Sequence, residues 1–147
     1  MFKTHFLVLI LVFPFTSSQA PSFAASAKLS ETQAIVFGGI TSKGASNSLF
    51  LVEANSIQEI DFKTSNDIWT PLPTFKHCCA ILDGILHCFG GVDSLAYVYR
   101  FDTATLSWIS PLSSFLTPRI GHSCSIDNTG FHVYGGRYSN NVEATVY

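Results

Sequence analysis

Along most of the chain the apolar residues come in short runs, each closed by glycine, asparagine, aspartate or serine. Three of the runs end in a glycine pair: Ile35-Val36-Phe37-Gly38-Gly39, Leu86-His87-Cys88-Phe89-Gly90-Gly91 and Phe131-His132-Val133-Tyr134-Gly135-Gly136. Short runs rich in β-branched and aromatic residues, bounded by turn formers, predict strands. Longer strings of alanine, leucine, glutamate and lysine that would favour helices are missing. One stretch breaks the pattern. Phe6–Phe13 is an unbroken apolar run, with Lys3 and His5 before it and Pro14 after it.

The runs repeat. Offset by 45, residues 77–91 fall on 122–136 with six of fifteen positions identical, among them a histidine, a cysteine and both glycines. Chance gives about one match in fifteen, so the segment is read as an internal duplication. A second landmark lies between the glycine pairs. Phe62 to Trp69 matches Phe101 to Trp108 in spacing, and a Pro-Leu pair follows each indole, at Pro71-Leu72 and Pro111-Leu112. Each copy predicts a strand, a polar turn and a strand opening at tryptophan.

Glycine pair, aromatic-Asp at Phe101-Asp102, Trp108, Pro118-Arg119, His122 and the next pair at Gly135-Gly136 together resemble the kelch repeat. The resemblance covers roughly residues 34–147, at the kelch period of about 50. It implies an all-β fold of four-stranded antiparallel blades, with units around 34–69, 77–108 and 122–147. Its structural landmarks are Gly38, Gly39, Trp69, Gly90, Gly91, Trp108, Gly135 and Gly136. Each indole should fill the gap between neighbouring sheets with its N–H on a backbone carbonyl. The first unit departs from the pattern, with Lys63 where aspartate is usual. Closed propellers use roughly 4–8 blades, so three glycine pairs imply an incomplete propeller, a fragment or divergent remnant. Open blade edges would then favour self-association.

Charge adds little attraction for nucleic acid. Net charge is -2 from 8 basic and 10 acidic side chains, and charged residues make up only 12%. The N-terminal run changes the picture more. A basic start, a short apolar core and the small residues of Ser22–Ala27 describe a secretory signal peptide over 1–24, with cleavage after Ala24 or Ala27. The site after Ala20 is poor, because Pro21 follows it. A run of eight apolar residues is far short of the roughly 20 that cross a bilayer as a helix. The kelch-repeat region is then 25–147. Its expected setting is secreted or an endomembrane lumen, with no membrane span once the signal is removed.

An oxidising compartment permits disulfides among Cys78, Cys79, Cys88 and Cys124. A two-residue turn at Asp83-Gly84 sets Leu82 against Ile85 and so Cys79 against Cys88, a close pair within bonding reach. Cys124 lacks a cysteine opposite it and is expected to be a free thiol. Zinc is disfavoured, because alternation sends His87 to the face opposite Cys79 and Cys88.

No nucleophile elbow or phosphate loop occurs, and no cofactor is implied. The histidines at 77, 87, 122 and 132 recur as repeat features, and most aspartates sit at turns. No catalytic residues are assigned. The expected function is a non-enzymatic binding module for a protein or glycan, acting through loops at the blade ends: Thr41–Ser48, Val92–Ser94, Phe115–Gly121 and Arg137–Asn141. Arg119, Arg137 and Tyr138 are its candidate interface residues, being of types enriched at hot spots; for Arg119 a structural place within the motif is the stronger reading. Some secreted kelch propellers are copper-dependent galactose oxidases, so the alternative is a remnant of such an enzyme, which copper analysis would reveal. A truncated structural fragment without independent activity is the third reading.

Overall fold

Side chains alternate across a strand, so each short apolar run offers one face for burial and pairs to complete it. The computed structural model describes residues 21–62, 70–92, 96–114, 116–138 and 141–142. The first unit runs through β1 (Ala25–Lys28), β2 (Gln33–Phe37), a small hairpin of β3 (Ile40–Thr41) and β4 (Gly44–Ala45), then β5 (Leu49–Glu53) and β6 (Ser56–Glu59). Its sheet has the order β1-β2-β5-β6. The second unit is β7 (Cys78–Leu82), β8 (Ile85–Phe89), β9 (Tyr97–Asp102) and β10 (Ser107–Ser113), paired in chain order. The third pairs β11 (Ser123–Asp127) with β12 (Gly130–Tyr134), followed by a second small hairpin of β13 (Arg137–Tyr138) and β14 (Asn141–Val142). All these pairings are antiparallel.

Turn chemistry fixes the register of the second blade. Asp83 and Gly84 both take positive φ, +50° and +76°, as a type I′ hairpin turn requires. Leu82 then faces Ile85, Ile81 faces Leu86, Ala80 faces His87 and Cys79 faces Cys88. The Thr103 N–H and Oγ1 both donate to the Gly84 carbonyl, tying the turn after β9 to this one.

The blades stack through their first strands: β7 lies against β1 on one side and β11 on the other. One face of the second blade presents Cys79, Leu86, Cys88, Phe101 and Trp108 to Ala25, Ala27, Ile35, Phe37 and Leu49 of the first. Its other face joins Phe89 and Val98 to Val133 of the third. Trp108 is buried in the first gap, its ring 5.2 Å from Phe37 and 5.2 Å from Phe101, both edge-on. Its indole N–H meets no acceptor among the described residues, so the expected carbonyl bond is not made there.

Two further expectations are corrected. The first sheet starts at Ala25, upstream of the unit read from 34, because the small residues Ala25 and Ala27 are the buried face of β1. Its outer strand is β6, so Phe62 lies beyond the sheet and does not copy the strand position of Phe101. Phe62 instead packs on Phe101 and Trp108 from outside, 6.3 and 6.2 Å away. Trp69 lies outside the described residues.

Candidate functional site

Each glycine pair receives the next blade. The Gly39 N–H donates to the Thr74 carbonyl at 2.8 Å, and the Gly91 N–H to the Arg119 carbonyl at 2.9 Å. His77 lies over Gly38 and His122 over Gly90, so close that a Cβ on either glycine would collide with the imidazole. Positive φ at Gly38 (+65°) and Gly90 (+74°) makes that approach possible. Next to the histidines runs a second chain of bonds, Lys76 N–H to the Phe23 carbonyl and Gly121 N–H to the Lys76 carbonyl. Phe23, Lys76 and Gly121 occupy the same place in their blades and share positive φ, +56°, +60° and +65°. Ala24 stands where His77 and His122 stand, and among the described residues nothing covers Gly135 within 4 Å.

These contacts absorb most of the candidate chemistry. His122 Nε2 lies 3.1 Å from the Phe89 carbonyl, and its ring is edge-on to Phe89. Burial pulls the His122 pKa down, with the Phe89 carbonyl opposing it and Arg119 adding to the fall. Burial also brings His77 down to about 4; the Phe37 carbonyl opposes the shift too loosely to complete a hydrogen bond, and His122 adds to it. Arg119 is only 1% exposed, and its guanidinium donates to the Gly135 carbonyl at 3.1 Å. It is therefore corrected from candidate interface residue to internal brace. His132 and Thr129 converge on Asp127 Oδ1, which also accepts the Thr129 and Gly130 N–H groups in a turn. Those bonds, led by the Thr129 and His132 side chains, hold the Asp127 carboxyl well below the usual range.

The cysteines are all engaged. Cys79 and Cys88 are disulfide-bonded across β7 and β8, Cα atoms 4.2 Å apart. Cys124 is not a free thiol: it bonds Cys78, with Cα atoms 5.9 Å apart. Adjacent residues on β7 point to opposite faces, so Cys79 closes its own blade while Cys78 reaches the next. That mate was invisible along one hairpin, because it depends on β11 packing beside β7. Among the described residues no group of three or more His, Cys, Asp or Glu is placed to hold a metal ion.

What remains on the surface is unevenly spread. The register row Cys78, Phe89, Val98 and Leu112 marks the glycine-pair end of the second blade; Leu82, Ile85, Asp102 and Ser107 mark the other. Of the exposed large apolar residues, Phe23 (63%), Leu72, Tyr97, Leu112, Tyr134 and Tyr138 (50%) lie at or beside the glycine-pair end. Among the described residues Leu106 is the one at the opposite end, where Glu31, Glu53, Asp83, Asp102 and Asp127 gather at turns, with Lys28 paired to Glu31. Lys76 stands with its Nζ 5.2 Å from the Phe23 ring centre and 5.8 Å from that of Phe75. Exposed Arg137 and Tyr138 form β13, whose Arg137 bridges Ile120 as Ile40 of β3 bridges Ser22. Of the candidate loops, Asp93, Ser94, Phe115, Ser139 and Asn140 lie outside the described residues. Phe23 and Leu72 were missed from sequence: Phe23 sits in no repeated motif, and the Pro71-Leu72 pair marks the repeat without showing that Leu72 is exposed.

Comparison with known proteins agrees with the repeat. The chain is 26% identical over 111 residues to Kelch-like protein 31 of Danio rerio, covering 65% of this chain. It spans 17% of that relative's length. No family model matches the chain. The relative and the antiparallel four-stranded sheets together fit a partial kelch repeat.

Proposed function

We propose that these partial kelch repeats form a non-enzymatic binding module for a protein partner, with the glycine-pair end of the blades as its contact surface. One observation carries the reading: among the described residues the exposed aromatic and aliphatic side chains, with Lys76 and Arg137 among them, concentrate at that end, Leu106 excepted. Aromatic residues and arginine over a rigid support are the composition of protein interfaces. The histidines and Arg119 support it in a second way, because packing already occupies them. The proposed setting is the secretory pathway or extracellular space, which suits cysteines held as disulfides and an N-terminal apolar run behind Lys3. Among the described residues no helix is long and apolar enough to cross a membrane.

A photo-crosslinking amino acid at Tyr138 or Phe23, compared with one at Leu106, tests the surface in cells that export the protein. Discrete adducts from positions 138 and 23, absent from 106, are the expected outcome. Adducts from 106 alone, or from none, would refute it.

A further inference from the structure

We infer that Lys76, held beside the rings of Phe23 and Phe75, is a carboxylate-binding point that recognises an acidic residue flanked by large apolar side chains in a protein partner. The inference rests on the glycine-pair end being the contact surface, and it gives that surface a ligand chemistry. Its starting point is backbone strain. Lys76 and Phe23 take φ of +60° and +56°, in the left-handed region that suits glycine, and the corresponding residue of the third blade is Gly121 at +65°. Among the described residues the other non-glycine cases, Asp83 and Leu106, sit in hairpin turns between paired strands. Lys76 and Phe23 instead precede the first strand of a blade. Glycine would fit there without strain, yet a lysine and a phenylalanine occupy the place at a conformational cost. Packing does not offset it, since Phe23 is 63% exposed and Lys76 only half-buried. Strain of this kind gathers at positions that contact ligands.

The backbone around the amine is fixed from both sides. The Lys76 N–H donates to the Phe23 carbonyl at 2.9 Å, and the Lys76 carbonyl accepts from the Gly121 N–H at 3.0 Å, so the first and third blades both hold it. Its Nζ lies 5.2 Å from the Phe23 ring centre and 5.8 Å from that of Phe75. Ring faces attract an ammonium and keep water from those sides without using up its hydrogen-bond donors. Among the described residues Lys76 pairs with no carboxylate. Charge at this end favours an anion. Lys43, in the turn between β3 and β4, and Arg137 of β13 are also exposed there, whereas the nearest acids, Glu59 and Asp61, lie on or just beyond the outermost strand β6. A carboxylate with an apolar group beside it fits this arrangement, the acid on Nζ and the apolar part against the Phe23 ring.

Phenylacetate and phenylacetamide are the probes, titrated into the full chain and read from the NMR signals of the Phe23 ring. Saturable shifts are expected with phenylacetate, and at least tenfold weaker affinity for the amide. Lys76→Gly and Lys76→Gln should each abolish the phenylacetate response, and Lys76→Arg should keep it. In urea, Lys76→Gly should unfold at a midpoint equal to or above that of the unaltered protein, because glycine relieves the strain; a lysine with a purely structural place would lower it. In cells that export the protein, crosslinked adducts from position 23 should vanish with Lys76→Gln and persist with Lys76→Arg. No saturable response, an equal response to both probes, a lowered midpoint for Lys76→Gly, or adducts indifferent to Lys76→Gln would overturn the carboxylate site and leave the end surface standing. A lack of adducts from positions 23 and 138 in the unaltered protein would remove the surface, and this inference with it.

Discussion

His77 and His122 look from sequence like a recurring pair with chemical potential, yet each is a wedge seated on a glycine of the preceding blade. The seat explains why both partners recur together, at Gly38 with His77 and Gly90 with His122. Gly90→Ala would force a Cβ into His122 and the Arg119 carbonyl at positive φ, at an expected cost of about 3 kcal/mol. Gly135→Ala should keep the φ penalty alone, about 1 kcal/mol, because among the described residues nothing lies within 4 Å. Urea unfolding of the two variants checks the contrast; equal losses would remove the wedge. Protonation probes the same contact. With His77 near pKa 4 when folded and 6.5 when unfolded, the unfolded chain takes up the extra proton between those values. Stability therefore falls as pH drops from about 6.5 to 4, by about 3 kcal/mol from this residue, and levels off below. His77→Leu should lose less over that interval, measured by urea midpoints at pH 7 and 4.5; an identical loss would contradict the assignment. The sequence offered the repetition of these residues but not their roles, since nothing local tells a wedge from a surface histidine.

Among the elements, those set by local turns were legible and those set by stacking were not. Asp83-Gly84 dictates one register, and Cys79 opposite Cys88 follows from it. Strand β1 escaped notice because a small-residue strand reads like the exit of a signal peptide, and only the neighbouring blade shows Ala25 and Ala27 to be core. The Cys78–Cys124 link escaped for the same reason. Closing a separation of 46 residues, it should contribute about 4 kcal/mol, against about 2.5 kcal/mol for the nine-residue Cys79–Cys88 loop. Replacing Cys78 and Cys124 together by serine should thus lower stability more than replacing Cys79 and Cys88, by denaturant unfolding. Peptide mapping without reductant, with fragmentation that separates the adjacent cysteines, should find 78 joined to 124 and 79 to 88. The crossed pairing, 78 to 88 and 79 to 124, would contradict the register that sets Cys79 opposite Cys88.

For the whole molecule, the repeat period and the glycine pairs announced stacked blades, while the placement of Phe62 and the first blade's start had to come from three dimensions. The N-terminus shows the difference most clearly. Ser22 bonds Ile40 and the Phe23 carbonyl accepts from Lys76, so cuts after Ala24 or Ala27 would remove contacts belonging to the first blade. Under the proposed export, sequencing the mature N-terminus should find Ser22 retained; a start at Ala25 or Lys28 would contradict this. Deeper than any terminus lies the stacking itself, which places Trp108 of one blade against Phe37 of another, 71 residues earlier in the chain. Nuclear Overhauser effects from the Trp108 indole protons test it without regard to redox state. Cross-peaks to the Phe37 ring as well as to Phe101 are expected if the first and second sheets pack face to face. Cross-peaks to Phe101 with none to Phe37 would mean that the two sheets fold apart.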